Sequence, residues 1–301
     1  MIRNIKKTTV VAICCAVVGA GLTGCDDISD TDAFPFDSPS PRKSAADFTG
    51  VQKIKVGGQS VNVSCSGDLA KKKPVIVLLP GLGDGLDQMA AIQKTLSEKN
   101  RVCSYDRLGE GKSSKPGGPQ TLSDTGKVLT TVLDSVADDG PVVLAGHSLG
   151  GMIAARYAPD HGDRVKGLVL MDATSPTSVA DMKNAIPQSA TGQATQLRAQ
   201  SLAVTEGQNP EKLIIPDGEV RSAGSIPVEV IQHGKQYLAA VPEYGPALER
   251  TWAAGQRKWL AVSSQSKLST AKNSEHYIYA DQPEIAVQAI QRVTTQATNA
   301  K

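Results

Sequence analysis

The stretch VVLAGHSLGG, Val142–Gly151, constrains the fold more than any other part of the chain. A continuous apolar run leads into one serine set between two glycines, and the small-residue segment SLGGMIAARYA follows. A run with no polar alternation suits a strand buried on both faces. Gly146 and Gly150 allow backbones to pack closely at a sharp strand-to-helix turn that projects Ser148 from a sheet. G-x-S-x-G in that context marks a candidate nucleophile, and it is the only such match in the sequence. A serine hydroxyl is a weak nucleophile without a base, so the remaining residues must supply one.

The surrounding pattern agrees with a strand–helix rhythm. VQKIKV and QSVNVSCS alternate as a hairpin about Gly57-Gly58, and KPVIVLLP is a second doubly buried run. A helix follows with Met89, Ile92 and Leu96 on one face. RVCSYD is then a strand, and TLSDTGKVLTTVLDSVAD a helix that turns Leu122, Leu129, Leu133 and Val136 inward. GPVVLAG, the small-residue helix and VKGLVLMD continue the alternation. The expectation is an α/β fold, a mainly parallel twisted sheet with helices on both faces. After Asp172 the rhythm breaks. Residues 174–225 are polar, with scattered helical pieces, and are expected to form a small cap insertion over the carboxyl ends of the strands. IPVEVIQH and a later strand resume the sheet, and a terminal helix presents Ile285, Ala289 and Val293.

The N-terminus is a separate object. Arg3, Lys6 and Lys7 precede the apolar stretch TTVVAICCAVVGAG, which is short for a membrane span. LTGC then resembles a bacterial lipobox. The expected organisation is a lipoprotein signal peptide at 1–24, lipidation of Cys25, a Pro/Ser-rich acidic tether at 25–48 and one domain at 49–301. The domain would then be exported and held by lipid at the outer face of a bacterial cell membrane. Gly19, Gly21 and Gly24 fit a dinucleotide fingerprint but lie in the segment to be removed. Once Cys14, Cys15 and Cys25 are set aside, Cys65 and Cys103 remain as a disulfide pair for an oxidising compartment. A net charge of +2 and 4% aromatic residues point to no nucleic-acid partner and no stacking platform for sugars or bases.

Four segments in order, LLPGLGDG, YDRLGEGKSS, GHSLGG and SEHYIYADQPEIAVQAI, resemble the oxyanion loop, the D-x-x-G-x-G-x-S turn, the nucleophile elbow and the histidine loop of the α/β-hydrolase family. The resemblance covers nearly all of the chain from Thr49 onward. It implies an oxyanion hole from the amides of Leu82 and Leu149. It implies His276 as the base, by the order Ser…acid…His, with His233 as the alternative. For the acid it points to Asp172 at the end of GLVLMD, with Glu243 and Glu249 as alternatives, because no carboxylate follows IPVEVIQH where many members carry one. The family's strand order also places Cys65 and Cys103 on neighbouring strands.

Gly111-Lys112-Ser113 mimics a phosphate loop, but Asp106 stands where that motif needs glycine, and the carboxylate reads as structural. No cluster has metal-ligand spacing, and no cofactor is expected. The expected function is a monomeric serine hydrolase acting on small-molecule carboxylic esters. Acyl transfer or cofactor-free perhydrolysis on the same residues is one alternative. A non-catalytic binding lipoprotein on this fold is another.

Overall fold

A computed structural model describes residues 44–70 and 73–299. The signal peptide, Cys25 and most of the expected tether lie outside the described residues. Eight strands form one sheet: β1 (Gly50–Val56), β2 (Gln59–Ser66), β3 (Val75–Leu79), β4 (Val102–Tyr105), β5 (Val142–His147), β6 (Val165–Met171), β7 (Pro227–His233) and β8 (Gln265–Ala271). Their spatial order is β1-β2-β4-β3-β5-β6-β7-β8. β3 to β8 run parallel, while β1 and β2 form an antiparallel hairpin that joins the sheet through β4.

The doubly buried runs divide their residues between two cores, as the two-residue period of a strand requires. Val77 and Leu79 of β3, with Val142 and Leu144 of β5, face one core, and Ile76, Leu78, Val143 and Ala145 face the other. The first core is covered by α2 (Leu122–Ala137) and α3 (Leu149–Tyr157), the second by α1 (Ala90–Ser97) and the terminal α8 (Pro283–Asn299). In α2, Val128, Leu129, Val132, Leu133 and Val136 recur at helical spacing and are buried. A capping box starts that helix: Thr121 Oγ1 accepts from Asp124 N at 3.2 Å, and Asp124 Oδ2 accepts from Thr121 N at 3.1 Å.

The expected bridge is present. Cys65 of β2 and Cys103 of β4 lie directly opposite each other, Cα atoms 4.1 Å apart, and are disulfide-bonded. The tether boundary is corrected. Residues 44–48 are part of the folded unit, because Ala45 and Phe48 are buried and their carbonyls accept from the Arg101 guanidinium.

The insertion folds as α4 (Ser178–Ala185) and α5 (Gly192–Thr205) followed by an extended return. A small separate core joins Ala185, Ile186, Ala190 and Ala194 to Leu248 of α6 (Gly245–Lys258). Leu238, Val241 and Tyr244 pack against it, so residues outside 174–225 complete the cap. A one-turn helix, α7 (Ile278–Asp281), lies between β8 and α8.

Candidate active site

The site is assembled at the carboxyl ends of the parallel strands. β5 ends at His147, and Ser148 follows at φ +50° before α3 begins. A side chain rarely adopts that backbone conformation, and such strain gathers at functional turns. The glycines of the motif are required by contact. A Cβ on Gly146 would lie 2.4 Å from the carbonyl of Gly150, and one on Gly150 would lie 2.2 Å from Leu79 O and 2.4 Å from Pro80 O. The loop after β3 therefore runs hard against the start of α3. Leu82 sits in that loop, and Leu149 is the first residue of α3.

The Pro80–Gly83 segment is gripped from behind. Arg107, in the turn after β4, donates to Pro80 O at 2.5 Å and Gly81 O at 2.8 Å, and Gly83 N donates to Glu110 Oε1 at 2.9 Å. Arg107 is itself held by Glu211 of the insertion, at 2.8 and 2.6 Å. Asp106 in the same turn accepts from Leu86 N, Lys112 N and Asn62 Nδ2 at 2.6 to 2.8 Å, the structural role expected of it. Burial and the neighbouring Glu211 push the Glu110 carboxyl up to about 7.

Asp172 follows β6, is fully buried and also has positive φ, +46°. Its Oδ2 accepts from His276 Nδ1 at 2.7 Å. Its Oδ1 accepts from Trp252 Nε1 at 2.9 Å and from His233 N at 3.1 Å. Burial opposes its charge, but the bonds from His233 and His276 outweigh that and hold the carboxyl below its ordinary range. His276 comes from the loop between β8 and α7. The His147 ring packs beside it, centroids 4.5 Å apart, and His147 Nε2–H donates to its carbonyl at 3.1 Å. Burial holds His147 well below the ordinary histidine range, so it is neutral. The hydroxyls of Ser148 and Thr174 are 3.4 Å apart.

Residues 74–213 match the family model described as alpha/beta hydrolase fold. A thermophilic esterase from Thermogutta terrifontis superposes with a TM-score of 0.57 at 20% identity, over 83% of this chain and 100% of that one. The chain has the α/β-hydrolase fold. Among curated relatives, the human (Lyso)-N-acylphosphatidylethanolamine lipase is 25% identical over 260 residues, 70% of this chain and 76% of that one. An uncharacterized Schizosaccharomyces pombe protein is 36% identical over 90 residues, 30% of this chain and 17% of that protein. The chain thus spans under a fifth of the S. pombe protein and, with 33% covered, a third of the bovine form of the lipase.

On this α/β-hydrolase scaffold the three residues expected for the triad stand at three strand ends, and the remaining histidines and carboxylates separate by partner. His233, the alternative base, faces Asp172 and Glu249 through its two ring nitrogens. Glu249, an alternative acid, meets His233, with Oε2 2.9 Å from Nε2. Glu243 lies in the turn before α6 at φ +65° and is not among the hydrogen-bond partners of His276. Sequence reading did not assign Trp252, Thr174 or the Arg107–Glu211 grip to the site. Their only trace in the sequence is polarity at positions that prove buried or enclosed. Among the described residues, no group of three His, Cys, Asp or Glu side chains is arranged to hold a metal.

Proposed function

We propose that this chain is a serine hydrolase that cleaves carboxylic esters of small or medium acyl substrates through an acyl-enzyme. The observation that carries this reading is the 2.7 Å bond from His276 Nδ1 to Asp172 Oδ2, on the same sheet edge as the strained Ser148. With Nδ1–H committed to Asp172, Nε2 is the nitrogen that takes the Ser148 proton as Oγ attacks the acyl carbonyl. The amides of Leu82 and Leu149 receive the oxyanion, and His276 returns the proton to the leaving alcohol. Water, activated by the same histidine, then hydrolyses the acyl-serine. The sequence relationship to a lipase supports an ester substrate.

The full-length chain is expected to hydrolyse short p-nitrophenyl esters and to be labelled by a fluorophosphonate probe at Ser148. Ser148→Ala is expected to lower kcat by about 10⁴-fold or more. Full activity in that variant would sink the mechanism. The chain is also read as an exported lipoprotein, anchored through Cys25. The Cys65–Cys103 bond supports an oxidising compartment. Fatty-acid labelling that is lost in Cys25→Ser is the expected result.

A further inference from the structure

The Asp172 carboxylate serves two histidines. His233 Nδ1 lies 3.0 Å from Oδ1 and 2.9 Å from Oδ2, while the other nitrogen of the same ring, Nε2, lies 2.9 Å from Glu249 Oε2. A neutral imidazole has one N–H and one lone pair. A neutral His233 would therefore set its lone pair against one of two carboxylates, whereas an imidazolium donates to both. Glu249 is furnished as an acceptor, since its Oε1 already takes Leu238 N at 2.7 Å and Ala239 N at 3.3 Å. All three side chains are buried, so their charges are weakly screened.

We infer that His233, clamped by Glu249, is a positioning residue for the catalytic pair: it fixes the Asp172 carboxylate toward His276 and offsets its negative charge. The catalytic consequence rests on the serine-hydrolase reading, but the geometry does not. His233 is faced by Asp172 from the end of β6 and by Glu249 and Trp252 from α6. The Tyr237 ring packs 4.9 Å away from the turn after β7, and the Asp172-bound His276 comes from the loop after β8. Arg250 and Arg257 of α6 line the cavity, about 640 Å³, onto which His233 and Glu249 open. Burial lowers the affinity of His233 for its proton, but Asp172 and Glu249 outweigh it and hold the ring above the ordinary histidine range.

The offset has a definite sign. A standing cation beside Asp172 disfavours a second cation on His276 by like-charge repulsion. Removing the His233 charge lets His276 take a proton at higher pH, and the acid limb of kcat/KM moves up.

The test uses the full-length chain with ¹⁵N-labelled histidine, which holds only four such rings. At pH 7 both ring nitrogens of His233 are expected to carry protons; a neutral ring overturns the inference. His233→Asn puts an amide donor at the place of Nδ1, toward Asp172, without the charge. In that variant the His276 ring, followed by NMR without substrate, is expected to hold its proton to higher pH than in the parent. The acid limb of kcat/KM is expected to follow. An unmoved titration with kcat/KM lowered equally at every pH means a merely structural role and overturns the inference. If His233→Asn does not fold, the spectrum of the parent protein decides. Neither NMR readout needs turnover, so a parent that hydrolyses no ester would count against the functional reading alone.

Discussion

Arg107 and Glu211 form a buried two-pronged ion pair across 104 residues of chain, Nε to Oε2 at 2.8 Å and Nη2 to Oε1 at 2.6 Å. The same guanidinium holds the carbonyls of Pro80 and Gly81. One side chain therefore ties the insertion to the loop that carries Leu82.

Removing Glu211 leaves an unpaired buried cation. Glu211→Ala is expected to lower the unfolding free energy by about 3–5 kcal/mol, measured by urea titration. The loop amides lose their fixed direction as well, so kcat/KM is expected to fall by about 10²-fold, the effect of losing one oxyanion donor. A Glu211→Leu, Arg107→Met double variant is expected to recover stability without recovering activity, which separates the two consequences.

Asp172→Asn tests the acid directly. Asparagine preserves shape but offers His276 and His233 a neutral amide in place of a carboxylate. The expected loss is about 10⁴-fold in kcat, because the wrong His276 tautomer becomes favoured. Glu249→Gln is expected to cost far less, since Glu249 reaches His276 only through His233 and Asp172. Equal losses in the two variants would contradict the assignment of the acid.

Glu110 gives the fold a pH dependence of defined sign. Its carboxyl is raised from an ordinary 4.5 to about 7, so the folded protein holds that proton more tightly than the unfolded chain does. The associated stability is fully present below about pH 4.5 and is lost as pH rises through about 7. Glu110→Gln keeps an acceptor for Gly83 N and removes the titration. Denaturant unfolding at pH 4.5, 6 and 8 is expected to show the parent losing ground to this variant across that interval. A constant difference would refute it.

The disulfide closes a separation of 38 residues. The chain-entropy relation puts its contribution at about 4 kcal/mol. A Cys65→Ala, Cys103→Ala double variant is expected to melt roughly 10 °C lower. The parent under a strong reductant is expected to approach that value.

What the sequence makes legible is whatever is local. The doubly buried runs, the hairpin about Gly57-Gly58 and the turn at Ser148 each follow from a few contiguous residues whose backbone needs leave a signature. The acid is different. Asp172 and Glu249 both end on His233, and which of them touches His276 is decided by how β6, α6 and the loop after β8 meet. The same holds for the start of the folded unit. Residues 44–48 read as tether because they continue an acidic, Pro/Ser-rich stretch with no periodicity, yet Arg101, far along the chain, draws their carbonyls inward. The cap was half visible for a similar reason, because Leu238 and Tyr244 belong to a different segment from the helices they cover.

The Cys65–Cys103 bond also determines how this molecule would bear a load. Tension arriving at residue 44 first has to free Ala45 and Phe48 from Arg101, and only then enters the sheet at Gly50 and unzips β1 from β2 one backbone bond at a time. Peeling of β2 from β4 would then proceed past Val63 and halt at Cys65, where a covalent bond replaces the next rung. From there the force passes into β4 in the body of the sheet, before it can pry at β3 and the Pro80–Gly83 loop. The outer hairpin is thus an expendable spring and the bridge its stop, so a pull that extends the hairpin leaves the strand ends around Ser148 in register.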